Sequence, residues 1–89
     1  MNAKLSPAEL AAVNKIIVEE LEVQPSQITP EAIFGKDLGA DSLDMVQMSM
    51  ELDEQFDLET SDSDIGVESS VGQLYAALAE HLALIQRRR

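Results

Sequence analysis

The residue in this sequence best placed to carry a covalent group is Ser42, in the run Leu38-Gly39-Ala40-Asp41-Ser42-Leu43-Asp44. Gly39 lets the chain turn tightly and Asp41 can cap a helix, so Ser42 falls in the first helical turn with its hydroxyl near solvent. A phosphate esterified there would meet free N–H groups and the positive end of the helix dipole, which makes Ser42 a phosphorylation-type site. A serine near a helix start is by itself usually structural, so its neighbours decide the matter.

Other chemistry is poorly supplied. The chain has no cysteine and one histidine, His81, set deep in the last helical stretch at the surface with no spaced hydroxyl to activate. The acidic stretch Asp57 to Glu68 lacks the calcium-loop pattern, because Asp62 rather than glycine falls sixth from Asp57. No metal site is expected. Eighty-nine residues fit one small domain, without room for a separate catalytic one, so the chain is not read as an enzyme.

Seventeen acidic and six basic side chains give a net charge of −11, which repels nucleic acid and anionic membranes and favours basic partners. The charge is segregated: from Asp37 to Glu68 there are eleven acidic residues and no lysine or arginine. Self-repulsion at this density predicts a fold that salt or divalent cations strengthen. With no secretory signal and no run near the ~20 apolar residues of a membrane span, the expectation is a soluble, cytoplasmic monomer.

The elements that must position Ser42 are helical. Ser6, Pro7 and Glu9 make a capping-box start, and Leu10, Val13, Ile17 and Leu21 recur at helical spacing over about 7 to 21. From 22 to 40, Pro25, Pro30, Gly35 and Gly39 punctuate a long loop; Ile28, Ile33, Phe34 and Leu38 tuck inward, with room for one helical turn. A helix capped by Asp41, with Asp44 reinforcing its positive end, runs to Phe56. Between 57 and 70, Ile65 and Val67 anchor only a short helix weakened by Gly66. Ser70 and Gln73 box the last helix, where Val71, Leu74, Leu78 and Leu82 share a face and Arg87, Arg88 and Arg89 complement its negative end. No strand pattern or internal repeat appears, so the fold class is all-α.

The helix from Asp41 carries more apolar surface than one core contact uses. Met45, Met48, Leu52 and Phe56 form one stripe, which should face the core. Leu43, Val46 and Met50 form a second, read as turned roughly a hundred degrees from the first. Asp44, Gln47, Glu51, Asp53 and Glu54 stand beside it, so the exposed face is an apolar strip edged with negative charge, suited to docking basic partners.

Gly39-Ala-Asp-Ser-Leu-Asp44, followed by Glu51-Leu-Asp-Glu-Gln-Phe56, resembles the attachment motif and second helix of the acyl carrier proteins. The resemblance spans about residues 5 to 82. It implies a small four-helix bundle, three main helices and a short third one with a long first loop, organised as an N-terminal extension 1–5, a carrier domain 6–85 and a basic tail 86–89. It also implies 4′-phosphopantetheine, taken from coenzyme A by a phosphopantetheinyl transferase and attached to Ser42, with the acyl chain held as a thioester. Asp41, Leu43, Asp44, Val46, Gln47, Met50, Asp53 and Glu54 would then form the surface read by fatty acid or polyketide synthesis enzymes with basic docking patches. The chain departs from the usual pattern at Gln47, commonly glutamate, at Thr60 and Ser61, and at Gly66, Val67 and Glu68. Fatty acid synthesis is the first expectation for such a carrier; a dedicated polyketide or specialised lipid carrier, or an unmodified helical interaction module, are the alternatives.

Overall fold

The computed structural model describes residues 4–57 and 65–87. In chain order it contains α1 (Pro7–Leu21), a single 3₁₀ turn (Pro25–Gln27), α2 (Phe34–Leu38), α3 (Ser42–Phe56) and α4 (Val71–Arg87). The all-α expectation holds, with four helices and no strand among the described residues; two residues, Ile33 and Ser70, form an isolated antiparallel bridge.

Local chemistry sets where the three long helices begin. At α1 the Ser6 hydroxyl accepts the Glu9 N–H at 3.1 Å while the Glu9 carboxylate accepts the Ser6 N–H at 2.7 Å, a reciprocal capping box. Ser70 and Gln73 repeat the arrangement at α4, with bonds of 3.2 and 2.8 Å. Helix α1 ends at Glu22 in the left-handed region, ahead of Pro25 as expected. It buries Val13, Ile16 and Ile17; Leu10 and Leu21, expected on the same face, are only partly buried.

The expected helical turn in the long loop is α2, and tertiary bonds hold it. Its first two amides leave the helix: Phe34 N–H donates to the Ser69 carbonyl at 3.1 Å and Gly35 N–H to the Val67 carbonyl at 2.8 Å. The Asp37 carboxylate accepts the Ile33 N–H at 2.7 Å, closing the same end. Helix α4 is tied to the loop likewise, since Val71 N–H donates to the Ala32 carbonyl and Gly72 N–H to the Pro30 carbonyl, each at 2.9 Å. These pairings join the segments 30–35 and 67–72 into one clasp.

The expected short helix between 57 and 70 can be followed only over residues 65–70, since 58–64 lie outside the described residues. Around Ile65 and Val67 the chain is not helical: residues 65–70 form a turn, in which the Ser69 N–H donates to the Gly66 carbonyl at 3.0 Å and the Ser69 hydroxyl accepts the Gly66 N–H at 3.1 Å. Gly66 carries no side chain to stabilise a helical turn, and Ser69 competes for its amide. Thr60 and Ser61 lie outside the described residues.

All four helices contribute to one core. Val13 and Ile17 from α1, Phe34 and Leu38 from α2, Met48 and Leu52 from α3, and Val71 and Leu78 from α4 are buried together. At roughly 1.5–3 kcal/mol per large apolar side chain removed from water, this aliphatic cluster is the main force holding α3 against α1.

Candidate functional site

The run expected to hold the attachment residue lies between α2 and α3. Helix α2 ends at Gly39, whose φ of 72° is the left-handed conformation that glycine adopts without strain. The Ala40 N–H reaches back to the Phe34 carbonyl at 2.9 Å, and Ala40 itself is buried, so the linker is fixed at both ends. Asp41 then caps α3: its Oδ1 accepts the Asp44 N–H at 2.8 Å and the Asp44 Oδ2 accepts the Asp41 N–H at 3.0 Å. The expected capping Asp41 is confirmed, and Asp44 does more than favour the dipole, because it completes the box.

Ser42 is the first residue of α3 and is exposed. The first bond in the helix ladder runs from Met45 N–H to the Asp41 carbonyl at 3.1 Å, so the amides of Ser42 and Leu43 have no acceptor within the helix. Among the described residues neither donates elsewhere. The other helix starts differ. The two leading amides of α2 and of α4 are bonded to carbonyls of the clasp, and α1 begins on Pro7, which has no N–H. Helix α3 is therefore the one described helix with two consecutive free amides at its positive end, next to an exposed hydroxyl. A phosphate ester on that hydroxyl fits this chemistry. An ideal Cβ at Gly39 would meet no atom within 4 Å, so there is also open space beside the linker.

The second apolar stripe is at the surface. Leu43, Val46 and Met50 are 63%, 55% and 65% exposed, whereas Met45, Met48 and Leu52 are buried and Phe56 is half-buried against the core. On a helical period the two sets are centred roughly 150° apart, not a hundred, which is why one can be buried while the other stays in water. Gln47, Glu51 and Glu54 are exposed along the strip, as is Asp41 at its head; Asp44 and Asp53 are only half-exposed. Ser42 and the expected docking residues thus share one helix, and the hydroxyl sits at the end of the strip.

The remaining candidates give little. His81 is half-buried in α4 rather than at the surface, because the α4 apolar face is broader than the expected set and includes Ala79. Among the described residues no cluster of three or more histidine or acidic side chains could hold a metal ion. A shallow hollow of about 400 Å³ lined by Gln27, Thr29, Glu31, Ala32 and Asp37 includes neither Ser42 nor the strip. No helix among the described residues is long and apolar enough to cross a membrane.

Sequence reasoning missed Gly35. An ideal Cβ there would lie 3.1 Å from the Val67 carbonyl oxygen, 3.2 Å from the Val67 Cβ and 3.5 Å from the Ala40 carbonyl oxygen. Nothing in the local pattern signals this, since Val67 lies far along the chain.

Comparison with known families agrees with this geometry: a family model described as a phosphopantetheine attachment site matches residues 11–78, the span that includes most of α1, all of α2 and α3, and the first part of α4. Domains of that family bind covalently attached 4′-phosphopantetheine, are generally non-catalytic, and work with phosphopantetheinyl transferase and synthase enzymes.

Proposed function

The chain belongs to the phosphopantetheine attachment site family, and on that premise we propose that it is an acyl carrier protein, with Ser42 as the attachment residue, serving the enzymes of fatty acid synthesis. The observation that supports this reading is the exposed Ser42 hydroxyl beside the free amides of Ser42 and Leu43 at the positive end of α3. When bound, the group supplies a terminal thiol that holds an acyl chain as a thioester.

The protein's own residues hold and present. Ser42 provides the ester oxygen, and the two free amides face the phosphate negative charge. Asp41 and Asp44 turn their carboxylates onto each other's amides. Leu43, Val46 and Met50 offer desolvation to a docking enzyme, while Gln47, Glu51 and Glu54 set orientation and draw basic surfaces. The chain contributes no acid, base or nucleophile to acyl transfer. It raises the local concentration of the tethered acyl group at each enzyme, so weak contacts suffice. A carrier gains from rapid release, because tight complexes dissociate slowly and would delay the next transfer.

Incubating the protein with coenzyme A and a phosphopantetheinyl transferase should add the mass of one phosphopantetheine, and Ser42→Ala should abolish the gain. A wild-type chain that stays bare beside an active transferase would refute the assignment. Intact mass measured on protein from its own cells would identify the cargo; acyl chains of the fatty acid series are expected.

A further inference from the structure

Gly35 lies in a narrow gap between two parts of the chain that are remote in sequence. On one side is the 65–69 turn, whose Val67 carbonyl accepts the Gly35 N–H at 2.8 Å. On the other is the backbone of Ala40, two residues before Ser42. A side chain here would touch both, since its Cβ would stand 3.1 Å from Val67 O, 3.2 Å from Val67 Cβ and 3.5 Å from Ala40 O. The first two separations are tighter than ordinary van der Waals contact, so something would have to move.

The turn is the less yielding side. It is braced internally by the Gly66–Ser69 pair of bonds, it holds the Phe34 amide through the Ser69 carbonyl, and Ser69 is buried. Helix α2 has five residues; its carboxyl end is held by the buried Leu38 and by Phe34 O, which accepts the Gly39 and Ala40 N–H groups and so leads directly to Asp41. Displacement at Gly35 therefore passes along α2 toward the linker.

We infer that Gly35 is a positioning residue for Ser42: the clasp between the 65–69 turn and the amino end of α2 sets, through Ala40, where the Ser42 hydroxyl stands when a phosphopantetheinyl transferase meets it. This rests on the reading that Ser42 is the attachment residue. None of the atoms nearest an added Cβ at Gly35 belongs to Ser42 or to Leu43, Val46 and Met50. The consequence is specific: a Cβ at position 35 should lower the rate of loading while leaving recognition of the carrier nearly unchanged.

The experiment follows mass gain with time in the full chain, using coenzyme A and a phosphopantetheinyl transferase over a range of carrier concentrations. Gly35→Ala should reduce kcat by about tenfold with KM within about twofold, as a small misplacement of a reacting atom costs. Adding Val67→Gly to Gly35→Ala removes the 3.2 Å contact with the Val67 Cβ but leaves the 3.1 Å contact with the Val67 carbonyl oxygen, so kcat should recover in part, by about twofold or more. Should Gly35→Ala fail to fold, Ser69→Ala loosens the turn without adding bulk and should lower kcat in the same direction. Equal kcat in wild type and Gly35→Ala, a loss confined to KM, no recovery in the double variant, or unchanged kcat in Ser69→Ala when it is the variant used, would each overturn the inference. A wild-type chain that takes up no mass would instead remove the attachment reading, and this inference with it.

Discussion

Asp41 and Asp44 cap each other across Ser42, each carboxylate accepting the other's backbone N–H at 2.8 and 3.0 Å. Asp41→Ala removes the Oδ1 acceptor and leaves the Asp44 amide without its partner. A loss of about 0.5–2 kcal/mol is expected, against a few tenths for Asp41→Asn, which keeps an acceptor at the cap. Thermal or urea unfolding of the two variants measures the difference; equal losses would show that charge rather than capping is what matters at this position.

The strip on α3 can be altered without touching the core. Met50→Glu replaces an exposed side chain, so stability should change by no more than about 0.5 kcal/mol. Use of the loaded protein by a partner enzyme should fall about tenfold, the size of effect expected where one anchor of a small interface is lost. Glu54→Lys should also impair transfer, and its effect should shrink as salt is added, because the contribution of an exposed charge is screened. Transfer rates that match wild type for both variants would remove the strip from the docking surface.

Gly39 tests conformation apart from packing. Its φ is positive, yet an added Cβ would meet nothing within 4 Å, so Gly39→Ala should cost only the left-handed strain, about 1–2 kcal/mol. For a chain of this size that lowers Tm by roughly 4–8 °C per kcal/mol. Gly39→Asn should cost less, since asparagine enters this region more readily.

Tyr75, the one tyrosine of the chain, gives the fold an alkaline limit. Burial raises its phenol above the ordinary 10.0, with the Asn14 side chain working the other way. The phenol donates to the Asn14 Oδ1, joining α4 to α1. Because the folded-state value lies above the unfolded one, this group contributes its full stability below about pH 10 and loses it as pH rises through the folded value. Phenolate absorbance should therefore titrate later in folded than in unfolded protein, and unfolding free energy should decline above about pH 10. Tyr75→Phe should flatten that decline.

The net charge of −11 gives a fifth kind of test, one of the medium. Tm should rise with added sodium chloride as repulsion is screened, most steeply at low ionic strength. A Tm independent of salt would show that the acidic residues are far enough apart not to oppose folding.

Reading the sequence alone located most of what is local. Ser6 with Glu9, Asp41 with Asp44 and Ser70 with Gln73 mark their helix starts because each cap is made within four residues. Ser42 and the exposed strip were legible for the same reason: cap and period together fix which side chains leave the core. Helix α2 was visible only as a possible turn, since five residues cannot display a period and its amide partners, Ser69 and Val67, are some thirty positions away. The 3₁₀ turn at Pro25–Gln27 was missed because its box is made by Gln24 and Gln27, and glutamine is not a usual cap. The absence of a helix at Ile65–Val67 turned on the Ser69 hydroxyl taking the Gly66 amide, a competition that residue types alone do not decide.

The order Asp41 then Ser42 amounts to a division of labour. Ser6 and Ser70 each stop a helix from fraying, and their oxygens are occupied in doing so. At the same cap position of α3 the carboxylate of Asp41 performs that service, and the serine one position further along is released from structural duty. Exchanging the two residues would keep a competent helix start while committing the only hydroxyl of the motif to the cap, so a protein could remain well folded and yet have nothing left to modify.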